Sequence, residues 1–135
     1  MDRSLLYVSR QSPFTVDPER TIEEIVAAAR LFNASMGITG ALVSTQAHFA
    51  QLLEGPIAVV DSLMERIECD NRHTDVTVLH IEAVARRRLT NWSMAYSGNS
   101  GYVARQIEPL IGETVGVNSI RVQRLISLLV GLAGP

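Results

Sequence analysis

Cysteine is almost missing from this chain. Cys69 stands alone, which excludes an internal disulfide and a thiolate metal cluster and points to a reducing cytoplasm. Long apolar runs are missing too. The best candidate, Leu125 to Ala133, is broken by Ser127 and Gly131, and a membrane-crossing helix needs about 20 apolar residues. Near the N-terminus, Ser9 and Arg10 interrupt the apolar stretch before it reaches signal-peptide length. There is no excess of positive charge: 12 basic residues against 14 acidic ones give a net charge of -2, which argues against direct nucleic-acid binding through a basic surface. Phosphate-binding glycine loops, zinc spacings and a Ser/His/Asp triad are also lacking, so a hydrolase or transferase has little to rest on.

What is there suits one domain with one core: 135 residues, 47% of them hydrophobic. The chain is organised around Thr39 to Gly55, TGALVSTQAHFAQLLEG. It reads as two strands, 40–44 and 48–54, and a turn at Thr45-Gln46-Ala47 that lacks the glycine favoured in two-residue hairpins. Alternation sends Phe49, Gln51 and Leu53 to one face and Ala50 and Leu52 to the other. Both faces are largely apolar, as in a strand covered on both sides. Gln51 is therefore an amide in a dry row and needs a hydrogen-bond partner.

The flanking segments complete a pattern. Residues 4–9 form a first strand, with Leu5, Tyr7 and Ser9 on one face and Leu6 and Val8 on the other. A helix follows, starting after Asp17-Pro18 or at the Thr21/Glu24 capping box. Its apolar stripe is Ile22, Ile25, Val26, Ala29 and Phe32; Asn33 lies on or beside that stripe, and Gly37 ends the connection. A second helix opens at Gly55-Pro56 with Ile57, Val60, Leu63, Met64 and Ile67 inward, and leaves through an exit loop at 71–75. Two strands follow, 76–84 and 93–97, the latter preceded by Trp92. This last strand is expected beside the strand carrying Tyr7. The fold class is α+β: a ferredoxin-like βαββαββ mixed sheet with two helices on one face, plus a C-terminal helical tail over the other. The expected division is 1–98 and 99–135.

Singly, these polar residues have ordinary explanations. Asp70 and Arg72 read as a surface pair, His73 as a solvated loop residue, and Arg86-Arg87-Arg88 as an exposed strand end. Together, Tyr7, Asn33 and Gln51 converge between helices and sheet, where an apolar pocket with a few polar groups would suit a small molecule or cofactor.

From LLYVS through FN at 32–33, TGALVSTQAHFAQLLEG, RIECDNRH and RRRLTNWSMAYS, the chain resembles the BLUF family of flavin-using blue-light sensors. The turn, with Ala47 and His48, departs from the glycine-containing form common in that family. The resemblance implies a non-covalently bound flavin; the motifs do not separate FAD from FMN, and the family implies FAD. It implies Tyr7 and Gln51 as the photoactive switch, and Asn33, Arg30, Phe49, Gln51, Ile67, Asp70, Arg72 and His73 as flavin-binding residues. Trp92 and Met94 fall at output positions. Light is then expected to drive electron and proton transfer from Tyr7, and a rearranged Gln51 amide shifts the absorption to the red. No effector domain fits after Ser97, so a homodimer or a separate downstream protein is the expected partner. Two readings stand beside this one: a ferredoxin-like metabolite-binding module, and an acylphosphatase-type enzyme using an Arg and an Asn.

Overall fold

The computed structural model describes residues 1–13, 16–90, 95–97, 101–112 and 119–133. In chain order the elements are β1 (Asp2–Gln11), α1 (Pro18–Met36), β2 (Thr39–Ser44), β3 (His48–Pro56), α2 (Ile57–Glu68), β4 (His73–Val84), β5 (Ala95–Ser97), α3 (Gly101–Ile107), a 3-10 turn at Glu108–Leu110, and α4 (Ser119–Ala133). The strands lie in the order β4-β1-β3-β2-β5. The first four pair antiparallel, and β5 runs parallel to β2. This is the ferredoxin-like mixed sheet expected from the element order.

The two faces of the sheet bury different residues, as strict alternation requires. On one, Leu5, Tyr7, Leu42, Phe49 and Leu53 pack with Ile22 and Val26 of α1 and Val60 and Met64 of α2. On the other, Leu6, Val8, Ala41, Val43, Ala50 and Leu52 pack with Ile107 and Leu110 and with Val122, Leu125, Ile126 and Leu129 of α4. The helical tail covers the sheet face that the first two helices leave bare.

Local chemistry sets the boundaries. Asp17 caps α1 by accepting from the Arg20 amide, with Pro18 in the first turn. Gly37 closes it in the left-handed region, φ 71°, where a side chain would be strained. A Cβ on Gly55 would meet Ile38 Cγ1 at 3.0 Å, so β3 passes the α1–β2 connection at glycine distance. The hairpin turn manages without glycine because Thr45 Oγ1 accepts from the amides of Ala47 and His48 at 3.3 and 3.0 Å. The hydroxyl holds a turn that sequence pattern left without a type.

Three expectations need correction. Strand β4 starts at His73, inside the expected exit loop, because β1 extends to Gln11 and pairs with it there. An irregularity in that ladder is taken up near Asp75, whose φ is 53°. Ile57 is not part of the buried stripe; as the first residue of α2 it is 37% exposed. The last strand does not neighbour β1: β1 lies between β3 and β4, and β5 joins the far edge on β2. Trp92 and Met94 lie outside the described residues.

Candidate functional site

Tyr7 on β1 and Gln51 on β3 are direct partners in the antiparallel register. Both therefore project from adjacent strands onto the face covered by α1 and α2. The Tyr7 hydroxyl donates to Gln51 Oε1 at 2.5 Å, a short, buried hydrogen bond. Burial pushes the Tyr7 phenol above its ordinary value of 10.0, and the negative charge of Asp70 adds to this. Tyr7 is thus a protonated donor whose proton faces one acceptor oxygen.

These two side chains form part of a cleft of about 200 Å³ between the two helices and the sheet. Its apolar lining comes from Ile25, Ala28, Ala29 and Phe32 of α1, Leu42 and Phe49 of the sheet, and Leu63 and Ile67 of α2. Asn33, Gln51, Arg66, Asp70, Arg72 and His73 supply the polar groups. Asn33 is buried at 1% exposure. Its position, one past Phe32 on α1, turns its amide inward instead of to solvent. Of the residues expected to bind flavin, Asn33, Phe49, Gln51, Ile67, Asp70, Arg72 and His73 meet at this cleft, whereas Arg30 stands exposed on α1 and is not among the lining side chains.

At one end, Arg72 grips Asp70 with its fork: Nε lies 2.9 and 3.0 Å from the two carboxylate oxygens and Nη2 2.5 Å from Oδ2. The Arg72 amide also donates to Asp70 Oδ1. These hydrogen bonds hold the Asp70 carboxyl below its ordinary range, against the opposing effect of burial. Asp70 and Arg72 are a cleft-wall unit, more than the surface pair of the simplest sequence reading.

His73 is likewise not a solvated loop residue. Its Nε2 lies 2.6 Å from the Ile67 carbonyl and its Nδ1 2.9 Å from Ser9 Oγ. A carbonyl can only accept, so Nε2 carries a proton and donates.

Arg66 escaped the sequence-derived site. Its guanidinium stacks over the Phe32 ring, 4.9 Å from the centroid. Its place three residues after Leu63, beside the apolar stripe of α2, is the available signal.

The cleft suits a flat heteroaromatic ring. Ala28 and Ala29 keep one wall low, Phe49 and Leu42 form the floor, and amide, carboxylate and guanidinium groups offer donors and acceptors to a ring edge that carries both. The family model for BLUF, sensors of blue-light using FAD, matches residues 3–95. The chain belongs to the BLUF family. That family is one of blue-light flavin sensors, and the metabolite-module and acylphosphatase readings are not favoured.

Similar BLUF proteins fall into two groups. Among curated relatives, the photoactivated adenylate cyclase subunit beta of Euglena gracilis is 41% identical over 66 residues, 49% of this chain and 8% of that protein. The blue light- and temperature-regulated antirepressor BluF of Escherichia coli (strain K12) is 36% identical over 72 residues, 53% of this chain and 18% of that one. The chain thus aligns with a small part of each. Among solved structures, the photo-activated state of BlsA superposes with a TM-score of 0.81 at 27% identity, covering 96% of this chain and 95% of that one. BlrB in its dark state gives 0.73 at 30% identity, covering 94% and 96%. No helix among the described residues of this BLUF chain is long and apolar enough to cross a membrane.

Proposed function

We propose that this chain binds FAD non-covalently in the cleft between α1, α2 and the sheet, and that Tyr7 and Gln51 are its light-driven switch. The observation that carries this reading is the buried 2.5 Å hydrogen bond from the Tyr7 hydroxyl to Gln51 Oε1 at the cleft. When bound, the flavin supplies blue-light absorption and an excited-state electron acceptor.

The chain's own residues do the rest. A phenol that loses an electron becomes a strong acid, and the Tyr7 proton already points at Gln51 Oε1. An amide carries an acceptor oxygen and a two-proton donor at opposite corners. A half-turn of the Gln51 side chain, or a proton shift within it, exchanges what it offers to Tyr7 and to the cleft. The two arrangements are two hydrogen-bond networks built from the same atoms, and no covalent bond to the chain is needed. Asn33, Asp70 and Arg72 hold the ring edge, while Phe49 and Ile67 pack its faces. The family description favours FAD over FMN, and the mass of the flavin released from purified protein tests that assignment.

The sensor works without an enzymatic step of its own, in the cytoplasm, and passes its signal on by contact. Residues 1–98 form the flavin unit and 99–135 an extension of it. Trp92 and Met94 are the output positions, and the recipient is a second copy or a separate downstream protein. Flavin-loaded protein exposed to blue light should show a reversible red shift of its absorption; an unchanged spectrum would sink the proposal.

A further inference from the structure

We infer that Ser9 and His73 form a strut that sets the Tyr7 ring for its exchange with Gln51, so that His73 acts as a positioning residue and not as a hydrogen-bonding partner of the flavin. This rests on the switch proposed above.

Three observations converge. Both imidazole nitrogens are committed within the protein. Nε2 donates to the Ile67 carbonyl near the end of α2 at 2.6 Å, and Nδ1 is 2.9 Å from the Ser9 hydroxyl on β1. With Nε2 as the donor, the neutral ring leaves Nδ1 to accept the Ser9 proton. Neither nitrogen is left for a ring ligand. Ser9 itself is fully buried, two residues beyond Tyr7 on the same face of β1, and opposite Phe49 in the register. A buried hydroxyl there needs a partner, and His73 is one. Finally, the imidazole stands edge-on to both cleft aromatics. Its centroid is 6.2 Å from that of Tyr7 with planes at 77°, and 6.1 Å from that of Phe49 at 75°.

A ring pinned at both nitrogens cannot turn. Wedged against Tyr7 and Phe49, it denies the phenol the sideways freedom that would lengthen the bond to Gln51. Reactions that move a proton between positioned groups are sensitive to such freedom. Ser9 therefore bears on the photoreaction without touching Gln51.

The test uses flavin-loaded protein and a cycle of Ser9→Ala, His73→Phe and the double variant. His73→Phe keeps an aromatic wedge and removes both anchors. Two readouts are taken at equal flavin occupancy: the yield of the red shift per absorbed photon, and the proton resonance of the Tyr7 hydroxyl in the dark, which lies far downfield in a short hydrogen bond. Ser9→Ala should lower the yield severalfold, because a loosened reacting group is less often in position, and move the resonance upfield. His73→Phe should do the same, and the double variant should be no worse than either single one. A wild-type yield and an unmoved resonance in Ser9→Ala would overturn the strut, as would additive losses in the double variant. Should wild type give no red shift at all, the switch proposal fails separately. The dark resonance still decides whether Ser9 positions Tyr7.

Discussion

Tyr7 and Gln51 face each other across two adjacent antiparallel strands, paired residue to residue, with the phenol donating to the amide oxygen at 2.5 Å. Register fixes this relationship. A slip of one residue between β1 and β3 would turn either side chain to the tail-covered face, where Leu6, Val8, Ala50 and Leu52 pack against the C-terminal helices. The two faces pack different side chains against different helices, so such a slip would also break both cores. The switch is thus held by the core of the whole domain.

Replacing Tyr7 by Phe should keep the ring in its packing and retain flavin, at a stability cost of about 1 kcal/mol for the lost hydrogen bond. The red shift should vanish. A Tyr7→Phe protein with the wild-type shift would show that the phenolic proton takes no part. The same pair of proteins checks the ionisation. Burial and Asp70 raise the Tyr7 phenol above 10.0, so wild type should show no additional phenolate over Tyr7→Phe at the pH where ordinary tyrosines titrate.

Gln51→Leu should also bind flavin and remain dark-like under light. Leucine fills much of the same volume but offers neither of the two hydrogen-bond arrangements. Time-resolved spectra are expected to show excitation followed by return to the starting absorption, with no red-shifted product. Persistence of that product would place the switch on another residue.

The sequence made much of this visible because alternation and helical spacing are local. Tyr7 and Gln51 fall on inward faces, and Asn33 on or beside the apolar stripe, from their neighbours alone, and all three are buried. Residues whose meaning depends on distant chain were harder to read. Glu54 appears as one more strand residue, yet it is fully buried and accepts from the amides of Arg88 and Leu89 at 2.7 and 2.8 Å. Nothing near it in sequence announces partners so far along. The arginine run reads as an exposed strand end, and Arg86 and Arg88 are exposed, yet Arg87 pairs with Asp2, and Arg88 reaches Ser4, Glu54 and Glu82. The partner of β5 is hidden for a related reason: the edge a last strand joins is set by its crossover, not by its own composition.

Glu54 gives a stability prediction. Glu54→Ala strips the buried Leu89 amide and the part-buried Arg88 amide of their acceptor, and should cost about 1–3 kcal/mol in urea denaturation. Glu54→Gln keeps an acceptor oxygen and should cost markedly less. Equal losses from the two would mean that charge, and not the capped amides, is what Glu54 contributes.

Acid should loosen the cleft at Asp70. Arg72 holds this carboxyl below its ordinary value of 3.8. A depressed folded-state value means the stabilisation is complete above the unfolded-state value and is lost as pH falls through the folded one. Flavin retention and stability should therefore decline below about pH 4, and Asp70→Asn should flatten that decline. An acid profile unchanged by Asp70→Asn would remove Asp70 from the account.

The tail should respond to light. Among its polar ties to the sheet, Glu108 meets Arg10, both partly exposed, and the buried His48; the exposed Glu108–Arg10 pair adds little. Its apolar contacts carry the docking: Leu125 and Leu129 are fully buried against the sheet, and Leu125→Ala should cost about 2–5 kcal/mol. A signal that leaves through this surface predicts light-dependent hydrogen exchange in α3 and α4. Identical exchange in the dark and under steady blue light, with the spectral shift complete, would exclude this route.

The most direct test of the central claim is the absorption spectrum of the purified, flavin-loaded protein in the dark, under blue light and after return to darkness. The account predicts a red shift that appears on illumination and reverses in the dark, present in wild type and lost in Gln51→Leu at equal flavin content. A wild-type spectrum that does not move, or a Gln51→Leu spectrum that moves as wild type does, would contradict it.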